Sequence, residues 1–121
     1  MDKYRVISSD SHIFEPADLW TSRIEPKFRD RAPRIVHREE DDSDWWFCDD
    51  LKIMSTASGT NAGVRFEEPE KLTLATRMDE VRPGGFIPEE HVKDMDIDEI
   101  DVGILYPSIG LQLYTVPDGE L

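Results

Sequence analysis

Two continuous apolar runs frame the chain, and everything between them alternates or breaks. The first, from Tyr4 into Val6-Ile7-Ser8, ends in the polar cluster Ser9-Asp10-Ser11-His12, as a buried strand running into a functional loop would; it predicts a strand over about residues 4–10. The second, Val102-Gly103-Ile104-Leu105-Tyr106, is closed by Pro107 and predicts a strand over about residues 101–107 that is covered on both faces, as in parallel α/β sheets. Pro88 fits a first helical position, Glu89 and Glu90 suit the positive end of a helix dipole, and Val92, Met95 and Ile100 give a partial apolar stripe. A helix over about residues 88–99 follows from that pattern.

The remaining segments are shorter. Pro16 and Asp18 favour a short helix running to about Ile24. Pro26 and Pro33 bracket a basic linker, beyond which residues 34–37, 45–48 and 51–54 have the composition of three strands, with Asp49-Asp50 as a tight turn between the last two. Ser, Thr, Gly and Asn over residues 55–63 predict a mobile loop, and Pro69 is placed to open a helix through about Val81, stopped by Arg82-Pro83-Gly84-Gly85. In the tail Asp118 is a candidate N-cap, and Leu121 falls where a helix would be starting.

Charge removes whole classes of partner. Lys and Arg total 14 against 27 Asp and Glu, a formal charge of -13 that repels nucleic-acid phosphates and anionic headgroups, so neither nucleic acid nor membrane is expected as a partner. Much of the acidity lies in Glu39-Glu40-Asp41-Asp42-Ser43-Asp44, which predicts a solvated turn; it lacks the turn-forming Gly and distal Glu of a calcium loop. Cys48 is the only cysteine, which excludes an intrachain disulfide and favours a reducing cytoplasm; the N-terminus, Met1-Asp2-Lys3-Tyr4-Arg5, has no apolar signal core. Burial beside an apolar strand makes that thiol a packed, inert one. His37 and His91 are expected as exposed surface imidazoles, and Trp45-Trp46-Phe47 as an aromatic stretch that points Trp46 opposite to its neighbours and packs against the rest of the fold.

Asp10 and His12 carry the chemistry. Two residues apart, they leave the same face of a continuing strand, and a carboxylate with an imidazole suits a borderline divalent cation, Zn²⁺, Mn²⁺ or Fe²⁺. Glu15, three residues on, is a candidate third ligand or an acceptor that orients His12. An Asp-x-His pair at this spacing is also what a hydrogen-bonded loop cap contains.

The segment from Val6 through Ser9-Asp10-Ser11-His12-Ile13-Phe14-Glu15-Pro16-Ala17-Asp18-Leu19-Trp20, continued by Glu25-Pro26-Lys27-Phe28-Arg29-Asp30-Arg31-Ala32-Pro33, resembles the opening of amidohydrolase-related proteins of the decarboxylase-like branch, the group that includes aminocarboxymuconate semialdehyde decarboxylase. A second block, Asp94-Met95-Asp96-Ile97-Asp98-Glu99-Ile100-Asp101-Val102-Gly103-Ile104-Leu105-Tyr106-Pro107-Ser108, looks like that family's helix entering barrel strand two. Residues from about 34 to 86 do not share the likeness and form an insertion onto which no function is carried.

The resemblance implies an α/β fold, the N-terminal portion of a TIM-type (β/α)₈ barrel with a small β-rich insertion, the barrel incomplete because a full one takes about 250 residues. It implies a divalent metal, a small-molecule substrate, and hydrolysis of a C–N or C–O bond or decarboxylation. In such enzymes the first strand carries a His-x-His or related pair; here Asp10 stands where the first His often does, which leaves the metal open. Further ligands and the catalytic base are expected beyond Leu121, and Tyr106, Pro107 and Ser108 are expected to line the substrate pocket. Without the barrel's later strands such a chain is expected to be inactive alone, and its open sheet edges to leave it marginal, sticky or dependent on partner chains, copies of itself included. The alternative from another class is an acidic, non-catalytic binding or scaffold module derived from the barrel.

Overall fold

Parallel strands cannot be joined by a tight turn, and the connection between the two apolar runs is accordingly most of the chain. In a computed structural model, which describes residues 4–61 and 68–121, β1 (Ile7–Ile13) pairs in parallel with β5 (Val102–Pro107). Between them lie α1 (Leu19–Arg23), an antiparallel three-stranded sheet of β2 (Arg34–Arg38), β3 (Ser43–Cys48) and β4 (Leu51–Ser55), the single-turn α2 (Ala57–Thr60), and α3 (Pro88–Ile97); α4 (Ile109–Gln112) follows β5. The fold is thus mixed α and β. Residues 1–3 of the N-terminal segment, and Ala62 and Gly63 at the end of the 55–63 loop, lie outside the described residues.

The strand at the N-terminus starts later than its apolar residues suggest and continues through the polar cluster to Ile13. Its continuation rests on β5: Ser11, His12 and Ile13 take Leu105, Tyr106 and Pro107 as partners. The start of β5 is anchored by Val6, whose carbonyl accepts the amides of Asp101 (3.0 Å) and Val102 (3.2 Å) and whose own amide donates to Asp101 Oδ2 (2.8 Å). Pro88, Glu89 and Glu90 open α3 as their chemistry dictates. Its other end closes with Ile100 N–H on the Met95 carbonyl and Glu99 at φ 55°, a left-handed C-terminal turn. Asp49, at φ 53°, makes the two-residue turn of the β3–β4 hairpin.

The helix expected over residues 69–81 does not form. Short 3₁₀ turns at Pro69–Lys71 and Met78–Glu80 flank an extended stretch whose carbonyls serve the three-stranded sheet and the turn after it. Thr76 accepts from the Asp44 amide (2.8 Å) and Thr56 Oγ1 (2.9 Å), and Leu74 accepts from Ser55 Oγ (2.9 Å). A helix would have kept those carbonyls for itself. Residues 57–60, read as loop, form the helical turn α2, and His91, read as exposed, is half-buried with Nδ1 2.9 Å from the Gly84 carbonyl. Asp44 leaves the solvated acidic turn: its Oδ2 accepts the Met78 amide (2.7 Å) and its Oδ1 lies 2.8 Å from His37 Nδ1. Tail residue Asp118 accepts the Glu120 amide (3.0 Å), capping a turn and not a helix.

The core lies off the parallel pair. Phe14, Trp46, Val81 and Ile109 are its buried centre, with Trp20 edge-on to Trp46 at 5.5 Å between centroids. Phe14 follows β1 and Ile109 follows β5, so the three-stranded sheet, through Trp46, is docked on the C-terminal end of the parallel strands. Ile7, Val102, Ile104, Leu105 and Tyr106 remain exposed on the two-stranded sheet itself. Among the described residues no helix is long and apolar enough to cross a membrane.

Arg31 ties three distant segments together, donating to Asp49 (2.6 Å) in the hairpin turn and Asp118 (2.8 Å) in the tail. Hydrogen bonds from its guanidinium hold both carboxyls below their ordinary value of 3.8, and Arg82 does the same for Asp94 on α3. A lowered carboxyl pKa contributes stability that is complete above the ordinary value and is lost as pH falls through the folded-state value. The thermal midpoint should therefore fall with acidification below pH 3.8. The gap between wild type and Arg31→Gln, measured by circular dichroism from pH 7 downward, should close over that same window; a gap that persists in strong acid would assign Arg31 a packing role instead.

Candidate metal and ligand site

Along β1 the partner register advances three residues, Ser8 to Ser11, while β5 advances two, Gly103 to Leu105. One extra residue is therefore accommodated at Ser9-Asp10, a bulge of the kind that re-aims side chains at the mouths of sheets. Its signature is the 2.6 Å hydroxyl contact between Ser8 and Ser11, which strict alternation would put on opposite faces. Asp10, in the bulge, and His12, past it, face each other, with Oδ1 and Nε2 3.3 Å apart. Both are exposed to solvent, Asp10 at 82% and His12 at 43%.

That separation can be tested against what an ion needs. Oxygen and nitrogen donors each about 2.0–2.2 Å from one cation at a tetrahedral angle lie roughly 3.3–3.5 Å from each other. The 3.3 Å between Asp10 and His12 falls within that range. The same distance accommodates a carboxylate–imidazole hydrogen bond.

Glu15 is placed elsewhere. It is buried, and its two oxygens accept the amides of Ile109 (3.0 Å) and Gly110 (2.8 Å) at the start of α4. Among the described residues no group of three or more His, Cys, Asp or Glu is assembled that could hold a metal, so the structure brings two of the three candidate ligands together and gives the third to the backbone. Cys48 is buried with its thiol directed at the Arg31 carbonyl, and burial pushes its pKa up, as expected of an unreactive packed thiol.

His12 also lines a cavity of about 320 Å³. Ser108 lines it too, its hydroxyl donating to the Ile13 carbonyl (2.7 Å), whereas Tyr106 stands beside the His12 ring at 6.0 Å and Pro107 ends β5 without reaching the lining. Opposite them the cavity is walled by Met54 of β4 and by Ser58 and Gly59 of α2, all from the insertion, and by Gln112 of α4. These residues carry no sequence signal: Ser58 sits in a string of small polar residues, and its place beside His12 depends on the docking of the insertion. Compared with protein-family models and with curated proteins, the sequence matches none.

Proposed function

We propose that this chain is the opening part of a metal-dependent amidohydrolase-type (β/α)₈ barrel, an enzyme that hydrolyses a C–N or C–O bond of a small substrate or decarboxylates it. The observation that carries the reading is the Asp10–His12 pair, 3.3 Å apart at the C-terminal end of a strand in a parallel sheet. Active sites of such barrels are built at that end, from several strands. Support also comes from the exposed apolar residues of β1 and β5, which further strands and helices of a barrel would cover.

In this reading Asp10 and His12 hold a zinc, manganese or iron ion, and the ion, when bound, supplies water activation or a fixed anchor for a carboxylate. Additional ligands and the general base come from further strands. The chain's own residues hold the donors: β1 brings the Asp10 carboxylate within 3.3 Å of the imidazole, and the β1–β5 pairing fixes His12 beside Tyr106. The engagement of Glu15 with α4 favours the second reading, a non-catalytic scaffold that keeps the barrel's opening without its full ligand set.

Zinc titration by calorimetry separates them. Asp10→Ala and His12→Ala should each weaken zinc at least about 10-fold, the lower end of what even outer partners of a metal site contribute. Affinity unchanged in both variants would remove the pair from any metal site and leave the scaffold reading.

A further inference from the structure

The cavity beside His12 has walls of unlike chemistry. Phe14, Met54 and Leu111 are apolar, while Ser58 and Gln112 bring a hydroxyl and a carboxamide that have no hydrogen-bond partner among the described residues. Among the described residues that line it, none is Lys, Arg, Asp or Glu. At about 320 Å³ it lies at the small end of ligand sites, the size of one ring with a substituent.

We infer that the insertion supplies the far wall of the Asp10–His12 site and that this cavity binds an uncharged, single-ring carboxamide. A hydroxyl and a primary amide each both donate and accept, so together they satisfy a neutral amide on both of its faces. A carboxylate at that wall meets no Lys or Arg, His12 being the one imidazole among the described lining residues, and the chain's charge of -13 opposes its entry. The apolar wall covers the ring. Ser58 and Gln112 thereby become specificity-determining residues, and the insertion, which shares no likeness with barrel enzymes, takes a functional role. The assignment of a substrate to this cavity rests on the metal-site reading, but the binding of a carboxamide does not.

The test is amide-resolved NMR of the 121-residue chain, with benzamide and benzoate as probes, in the absence and presence of zinc. Benzamide should shift Ser58, Gly59, Ser108 and Gln112 saturably, and without zinc it should bind at least about 10-fold more tightly than benzoate, a difference of one well-placed polar contact. Ser58 is exposed, so Ser58→Trp can fill the cavity without entering the core; it should weaken benzamide at least about 10-fold and leave zinc affinity within about 2-fold. Gln112→Leu, also at an exposed position, should weaken benzamide alone. Absence of a saturable shift, binding that survives both substitutions, or preference for benzoate without zinc would each overturn the proposal. Benzamide binding together with zinc affinity unchanged in Asp10→Ala and His12→Ala would sustain it while removing the metal reading.

Discussion

Replacing Trp46 with alanine is expected to remove at least half of the chain's stability at room temperature. Trp46 is fully buried, the largest such side chain, and it is the residue on which Trp20 (5.5 Å) and Phe14 (6.3 Å) converge. The core around it is small: among the described residues Ala32, Cys48 and Ala57 are buried apolar members, and only Phe14, Val81 and Ile109 add larger side chains beside it. Deleting a buried Trp costs about 3–5 kcal/mol, against a total stability that for a domain this size starts at about 6 kcal/mol. Urea titration followed by circular dichroism should show the transition midpoint fall to half its wild-type value or below. Trp46→Phe makes the useful contrast. Nε1 of Trp46 is buried with no hydrogen-bond partner among the described residues, and an unsatisfied buried donor costs about 1–3 kcal/mol, so phenylalanine removes a penalty while leaving a void. The phenylalanine variant should stay within about 1 kcal/mol of wild type. A Trp46→Ala protein with wild-type stability would show that the insertion sheet is not packed on the ends of β1 and β5 as described.

The ease of reading such features from the chain differed with the distance over which they are determined. Local chemistry settled α3, through Pro88, Glu89 and Glu90, and the β3–β4 turn at Asp49-Asp50. The two apolar runs became paired strands. Pro69 was an equally good local signal for a helix, yet the chain after it is extended, because Ser55, Thr56 and Asp44 compete for its carbonyls and amides from more than a dozen residues away. The same division applies at the site. An i, i+2 pair is visible in any sequence, and Asp10 and His12 do meet. The bulge at Ser9-Asp10 is visible only from the register with β5. Ser58 and Gln112 reach the cavity by tertiary docking alone.

Glu15 shows most sharply how proximity in sequence misleads, and its removal is the second large effect expected. A carboxylate three residues past His12 invites assignment to the metal, but its partners are amides 94 and 95 residues away. Glu15→Ala would orphan both, the Ile109 amide in a buried position; hydrogen bonds to a charged group are worth about 1.5–3 kcal/mol each, so a total loss of about 3–5 kcal/mol is expected. Glu15→Gln keeps the shape but turns an NH₂ toward one of the two donors, which should cost roughly half as much. Hydrogen exchange gives the local readout, with the Ile109 and Gly110 amides losing protection before the β2–β4 sheet does. The consequence for binding follows from position. Glu15 fixes the start of α4, and α4 carries Leu111 and Gln112 into the cavity, so Glu15→Gln should weaken benzamide while leaving zinc affinity within about 2-fold. Zinc affinity falling together with that of Asp10→Ala would instead return Glu15 to the metal, and would mean that its grip on α4 is exchanged for coordination when the ion arrives.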